Sequence, residues 1–286
     1  MENTITRKAY AKINLGLDVV RRLPNGYHEV RMIMQTVGIY DVLTFTKVDE
    51  GIHLQVDNEE LPTDGNNLIC KAAKLIMEDA GVTGGVRITL KKHIPIAAGM
   101  AGGSTDAAAA LLGMNELYEI GYDLDKLKEL GVKIGADVPY CIQGGTALAE
   151  GIGEILSALP APPDCQLVVA KPDINVSTKF VYENLRANEL ESHPDIDGMI
   201  EALKLGDLKG ITDRLGNVLE TVTVPAYPII RKIKDSMLAA GAEGALMSGS
   251  GPTVFGIFTD KAQAEQAAKR IREAELAKQV FVTNFC

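Results

Sequence analysis

The chain has 286 residues and a formal charge of −9, with 46% hydrophobic and 23% charged residues. So much apolar material excludes a disordered chain, and the acidic balance argues against a general binder of nucleic acid or anionic membranes. Glycine (28) and proline (12) recur without a short period, which excludes fibrous and coiled-coil classes, and 8 Tyr, 6 Phe and no Trp leave the core to Ala, Val, Ile and Leu.

The first legible element is a strand at 12–19. Ile13, Leu15, Leu17 and Val19 share one face, while Lys12, Asn14, Gly16 and Asp18 share the other, the pattern of a half-buried strand. Pro24, Asn25 and Gly26 mark a turn that carries Tyr27 and His28. Strands are predicted at 41–48, 51–56 and 86–90. A helix is predicted at 68–80, where Leu68, Ile69, Ala72, Ala73, Leu75 and Ile76 recur at helical spacing. A second helix begins near Ser104 and runs to 118, and a short third covers 124–131. Pro160, Pro162 and Pro163 stop regular structure and mark a domain boundary. Beyond it the pattern predicts strands at 165–170, 253–259 and 279–283, and helices at 181–190, 195–203, 229–240 and 262–273. Strands and helices mix without regular βαβ alternation, so the class is α+β.

Cys70, Cys141, Cys165 and Cys286 are dispersed, as are His28, His53, His93 and His193, so neither a disulfide framework nor a zinc site is expected. The first ten residues hold no apolar signal core, and no run of about 18 apolar residues occurs. A reducing cytoplasm is the expected location, with no membrane partner.

The most informative stretch is Pro95-Ile96-Ala97-Ala98-Gly99-Met100-Ala101-Gly102-Gly103-Ser104-Thr105-Asp106, which leads into four consecutive alanines. Free N–H groups at a helix start attract anions, and Gly99, Gly102 and Gly103 let backbone approach a phosphate. Ser104, Thr105 or Asp106 is placed to cap the helix, and the hydroxyls to reach a phosphate or metal. The same residues also suit a flexible loop with an ordinary N-cap. Neither a Gly-Lys pair nor G-x-G-x-x-G occurs, which excludes a P-loop and a dinucleotide-binding site.

Residues 95–108 resemble the central motif of the GHMP small-molecule kinases, named for galactokinase, homoserine, mevalonate and phosphomevalonate kinases. Two further blocks match in order: Ala11-Lys12-Ile13-Asn14-Leu15-Gly16-Leu17, and Met247-Ser248-Gly249-Ser250-Gly251-Pro252-Thr253-Val254-Phe255-Gly256. Three more, at 24–28, 135–139 and 149–154, resemble the branch that acts on a cytidylyl sugar alcohol. The resemblance implies a two-domain α+β fold. A ribosomal-protein-S5-like domain (1–158) would carry the ATP loop and the base, and a ferredoxin-like domain (164–286) would help close the substrate cleft. It also implies ATP-dependent phosphorylation of the 2-hydroxyl of a cytidylyl methylerythritol, in the non-mevalonate route to isoprenoids, with Mg²⁺.

The resemblance makes Asp137 the catalytic base and Lys12 the lysine near it. A lysine there keeps the carboxylate ionised and favours developing alkoxide charge. On residue type alone, Asp137 is equally a turn Asp before a strand, and Lys12 a solvated strand-edge lysine. Pro95, Ala98, Gly99, Met100, Ala101, Gly102, Gly103, Ser104 and Thr105 would cradle the ATP phosphates. Asn67, Leu68 and Lys92 resemble the adenine-side wall, although Leu68 also suits ordinary helix core. Tyr27 and His28 would stack on and hydrogen-bond the cytosine, with Tyr182 on its other face unless Tyr182 merely packs its own helix. Asn14 would contact substrate. Gly249 and Ser250 would bring backbone N–H groups to its phosphates or form a plain strand-entry turn. No metal ligand is assigned, and no oligomeric state is legible. The rivals are a mevalonate or homoserine kinase, whose substrates offer no base to stack, and a non-catalytic nucleotide- or RNA-binding protein.

Overall fold

The computed structural model describes residues 4–286; Met1–Asn3, the start of the stretch read for a targeting signal, lie outside the described residues. The first part of the chain forms β1 (Thr4–Arg22), β2 (His28–Val48), β3 (Gly51–Val56), α1 (Leu68–Ala80), β4 (Gly85–Lys91), α2 (Gly102–Leu117), α3 (Leu124–Val132), α4 (Val138–Gln143), β5 (Thr146–Glu150) and β6 (Ile155–Leu159). There follow β7 (Gln166–Lys171), α5 (Thr178–Asn184), α6 (Ile196–Leu205), α7 (Leu208–Thr212), β8 (Gly216–Asn217), α8 (Glu220–Ala226), α9 (Ile229–Ala239), β9 (Gly244–Met247), β10 (Val254–Phe258), α10 (Lys261–Glu273) and β11 (Gln279–Thr283).

Contacts divide the chain into two interleaved units. Of the described residues, the first comprises 4–11, 39–94 and 101–144; the second comprises 12–38, 95–100 and 145–286. The long strands β1 and β2 contribute to both. The proline-rich segment at 159–164 lies inside the second unit.

In the first unit β4 runs antiparallel to the second half of β2, from Val42↔Lys91 to Val48↔Gly85, and β3 runs parallel to β4. Parallel neighbours need a crossover, and α1 supplies it. Its apolar stripe of Ile69, Cys70, Ala72, Ala73 and Ile76 is buried. Helix α2 is apolar nearly all round, with Ala107–Ala110 buried, so it forms the centre of this core and packs on α1 and α4. The point where a Cβ would stand on Gly113 lies 2.6 Å from the Phe45 ring, so glycine permits the helix to lie against the sheet.

In the second unit the first half of β2 pairs antiparallel with β5, β6 pairs with β5, and β8 runs parallel to β1 at Gly16↔Gly216. A separate four-stranded sheet has the order β11-β7-β10-β9, with every pair antiparallel. Counted along the chain this is 4-1-3-2, with helices before the second and fourth strands, which is the ferredoxin-like arrangement expected.

Several predicted elements differ; the strand expected at 41–48 is the second half of one that starts at His28. The opening strand is buried on both faces from Ala11 to Leu17, not half-buried, so polar Lys12 and Asn14 are enclosed. The helix predicted at 181–190 begins earlier, at Thr178, because Ser177 caps it by accepting from the Phe180 N–H at 3.3 Å. It ends at Asn184, where Leu185 turns extended.

Candidate active site

In the first unit the candidate residues lie at the starts of α1, α2 and α4 and just after β4. Helix α2 opens with Ala101 as its N-cap, at φ 56, and without a side-chain cap hydrogen bond. Ser104, Thr105 and Asp106 were the expected caps, but they lie inside the helix. The helix begins two residues earlier because a left-handed Ala101 turns the chain directly into it. The N–H groups of Gly102 and Gly103 at its start therefore have no side-chain oxygen from the N-cap, and the helix dipole adds to their pull on an anion. Thr105 is buried and donates from Oγ1 to the Tyr10 carbonyl at 2.7 Å, which spends its hydroxyl on β1.

Asn67 caps α1 by accepting from Ile69 N–H at 2.9 Å and donating to the Pro62 carbonyl at 2.7 Å. Leu68 begins α1, and its Cδ1 is 3.4 Å from the Cβ position of Gly103, so the two helix starts adjoin. Lys92 does not present its ammonium to solvent: Nζ donates to Asp41 Oδ2 and Asp106 Oδ2, both at 2.6 Å. Any part that Lys92 plays at an adenine falls to its backbone. Asp137 opens α4 rather than preceding a strand, and its side chain makes no cap hydrogen bond to that helix. Pro in the first turn was the available signal, since the missing N–H there has no partner to lose.

In the second unit, Lys12 is 5% exposed and donates from Nζ to Asn14 Oδ1 at 2.8 Å, which removes the solvated strand-edge alternative. Asn14 in turn donates to Met32 Sδ at 3.3 Å. The Lys12 N–H donates to the Met100 carbonyl at 3.2 Å, tying β1 to the glycine-rich segment. Ala97 (φ 50) and Gly99 (φ 68) are left-handed, so Pro95–Met100 is a wound loop and not an extension of a strand.

The turn at 248–251 packs on that loop. Ser248 Oγ donates to the Gly99 carbonyl at 2.9 Å, and a Cβ on Gly99 would collide with the Ser248 carbonyl oxygen. Asn217 Nδ2 donates to the Met247 and Gly249 carbonyls, both at 2.8 Å, and so fixes the turn. Ser250 shares a hydrogen bond of 2.9 Å with Thr178 at the start of α5. Ser248, Asn217 and Thr178 escaped sequence reading because their partners lie far away along the chain.

Tyr27 is 58% exposed, its N–H held by Asn25 Oδ1 at 3.1 Å. The ring of His28 lies 5.1 Å from that of Tyr182, tilted by 39°. Burial, and then the charge of Arg22, hold the His28 imidazole below its ordinary 6.5. Behind this corner, Val30 N–H donates to the Gly151 carbonyl at 2.9 Å. Arg31 binds Asp197 at 2.6 and 3.0 Å and Glu150 at 3.3 Å. The 149–154 block thus supports the strand start that carries His28.

A separate open cavity of ≈ 610 Å³ is lined by His193, Asp195, Arg214, Asn217 and neighbours. It holds none of the predicted site residues except by way of Asn217's link to Gly249. Its polar groups are paired, His193 with Asp18 at 2.7 Å, Arg214 with Asp195 at 2.9 Å and Asp213 with Lys209 at 2.5 Å.

Comparison with known proteins fits this arrangement. The GHMP kinases N terminal domain family matches residues 67–145, and the GHMP kinases C terminal family matches 199–276. The chain is 53% identical over 281 residues to the 4-diphosphocytidyl-2-C-methyl-D-erythritol kinase of Lachnospira eligens, covering 98% of each chain. It is 50% identical over 282 residues to the enzyme of that name from Lachnoclostridium phytofermentans, covering 98% of this chain and 97% of the other. A crystal structure of 4-(cytidine 5′-diphospho)-2C-methyl-D-erythritol kinase superposes with a TM-score of 0.84 at 35% identity, covering 98% of this chain and 99% of that one. With near-full-length identity of this order, a matching fold and both GHMP domains in sequence, the chain belongs to the 4-diphosphocytidyl-2-C-methyl-D-erythritol kinase family of the GHMP kinases.

Proposed function

We propose that this chain transfers the γ-phosphoryl group of ATP to the 2-hydroxyl of 4-(cytidine 5′-diphospho)-2-C-methyl-D-erythritol, giving ADP and the 2-phosphate, in the non-mevalonate route to isoprenoids. The observation that carries the substrate is the 53% identity, over nearly the whole chain, to a relative of that name. The exposed Tyr27 beside a His28–Tyr182 ring pair supports it, because a homoserine or mevalonate offers such a corner no base to stack on. The division into domains at 1–158 and 164–286 belongs to the same reading, since the two family matches fall on either side of it.

In this reading the N–H groups at the start of α2 and the wound Pro95–Met100 loop hold the ATP phosphates. Asn14, Gly249 and Ser250 orient the acceptor. Asp137 takes the proton of the 2-hydroxyl as the bond to phosphorus forms, and Lys12 supplies positive charge to the developing alkoxide. Positioned base catalysis contributes about 10²–10⁴-fold, about 3–5 kcal/mol. Phosphoryl transfer has a loose transition state, so alignment and charge neutralisation carry the larger share. Mg²⁺ would neutralise phosphate charge when bound with the nucleotide. Among the described residues no three His, Cys, Asp or Glu side chains converge on a point.

The four cysteines are free thiols, which suits a reducing cytoplasm, and among the described residues no helix is long and apolar enough to cross a membrane. The decisive experiment is ADP release with the cytidylyl methylerythritol, with homoserine and mevalonate as competing acceptors. Turnover confined to the cytidylyl substrate is expected; equal turnover of another acceptor would overturn the assignment.

A further inference from the structure

We propose that Asp106 is a positioning residue for ATP, which through Lys92 sets the charge beneath the first turn of α2 by gaining or losing one proton. This rests on the kinase reading above.

Lys92, Asp41 and Asp106 form a closed cluster, their side chains 5%, 0% and 5% exposed, with Lys92 Nζ 2.6 Å from each carboxylate. Asp41 is fully engaged, because its Oδ1 also accepts from the N–H groups of His93 at 2.6 Å and Ile94 at 2.8 Å. Asp106 is not: its Oδ1 is buried without a hydrogen-bond partner. Two carboxylates against one ammonium leave a net charge of −1 away from water, and such a charge is removed most readily by protonating the less well-solvated member. The cluster adjoins the anion-binding turn, since Lys92 Nζ is 3.1 Å from the Cβ position of Gly102, the first residue of α2.

Burial above all, and then the charge of Asp41, push the Asp106 carboxyl up to about 7 against the pull of Lys92. The helices packed on α2 bring other titratable groups. Helix α1 brings Cys70, whose thiol burial pushes up, and α4 brings Asp137, Tyr140 and Cys141. On α3, Lys126 pairs with Glu129 and Lys128 with Asp125 at the surface. The charges that move Asp106 are those of Lys92 and Asp41. With Asp106 protonated the cluster is neutral; ionised, it sets one negative charge beneath the turn that receives phosphates. Nucleotide therefore binds the protonated form better, and binding near and above neutral pH draws a fraction of a proton from solvent onto the Asp106 carboxylate.

The test is titration calorimetry of ADP with Mg²⁺, in buffers of different ionisation enthalpy, for wild type and Asp106→Asn. The asparagine mimics the protonated acid, and the nucleotide's own titration is common to both proteins. At pH 7.5 wild type should take up more protons per nucleotide than the variant. Between pH 6.5 and 8.5 its affinity should fall several-fold more than the variant's, the order expected when one negative charge appears beneath the bound phosphates. Equal proton counts and parallel pH profiles overturn the proposal. If Asp106→Asn does not fold, ¹³C NMR of aspartate-labelled wild type decides: a carboxyl titrating near neutral and moving upward on ADP binding supports it, and no such carboxyl overturns it. If wild type binds no ADP at any pH, the ATP reading and this proposal fall together. Binding without a proton difference removes this proposal alone.

Discussion

His28, the first residue of β2, lies with its ring 5.1 Å from that of Tyr182 on α5. Tyr182 therefore does not merely pack its own helix; it completes an aromatic corner beside the exposed Tyr27. Base stacking on such a platform is worth about 1–3 kcal/mol, roughly 5- to 150-fold. Tyr182→Ala and Tyr27→Ala are each expected to raise KM for the cytidylyl substrate within that range, while KM for ATP moves by less than about twofold. Steady-state kinetics varying each substrate in turn checks this, and parallel rises in both KM values would remove the corner from substrate recognition.

The state of His28 gives that corner a pH signature. Its imidazole is held below 6.5, first by burial and then by the charge of Arg22, so it is neutral in the folded protein at pH 7. A neutral ring keeps one donor and one acceptor nitrogen for a pyrimidine edge; protonation removes the acceptor. Because the shift is downward, the fall in kcat/KM for the cytidylyl substrate that His28 causes on acidification should set in at lower pH than an ordinary imidazole would give. His28→Gln should start lower and lose that acid limb. An acid limb unchanged in the variant would assign it to another group.

Asp137 makes no cap hydrogen bond to the helix it opens, so its carboxylate is not needed to start α4. Asp137→Asn keeps the size and most of the hydrogen-bonding capacity of the side chain, and is expected to leave the unfolding free energy within about 1 kcal/mol of wild type. It should lower kcat by about 10²–10⁴-fold. The Kd for ADP should stay within a few-fold. Single-turnover kinetics with calorimetry of ADP separates these, and near-normal turnover would take Asp137 out of the mechanism.

What could be read from the sequence depended on the range of the forces involved. Period-two and helical patterning located β3, α1 and β11 to within a residue or two, because one buried face writes a local signal. The same logic misjudged β1, since Lys12 and Asn14 look like a solvent face until the bond between them, inside the protein, is seen. The glycine-rich segment announced its chemistry through composition, but the residue that turns it into α2 is left-handed Ala101, and alanine carries no local mark of that conformation. Lys92 shows the limit most clearly. Its partners Asp41 and Asp106 lie far from it along the chain, so the burial that removes its ammonium from any ligand is a tertiary fact.

Gly99 is where the loop should be least tolerant of change. Its φ of 68 is not in itself decisive, because Ala97 (φ 50) and Ala101 (φ 56) occupy the same region at a cost of about 1–2 kcal/mol each. Space decides instead. A Cβ on Gly99 would run into the Ser248 carbonyl oxygen and come within 3.1 Å of the Gly251 carbonyl oxygen. The turn cannot retreat easily, because Asn217 holds it through Met247 and Gly249. Displacing it would also break the bond from Ser248 Oγ to the Gly99 carbonyl. Gly99→Ala should therefore destabilise the protein by about 2–4 kcal/mol and lower kcat/KM for ATP by at least about 10²-fold. Ala97→Gly, which relieves a left-handed alanine without adding an atom, should change stability by no more than about 1 kcal/mol. Denaturant unfolding and ATP-dependent kinetics on the two variants test the contrast, and a Gly99→Ala protein with near-wild-type nucleotide kinetics would show that contact with the 248–251 turn is not what shapes the loop.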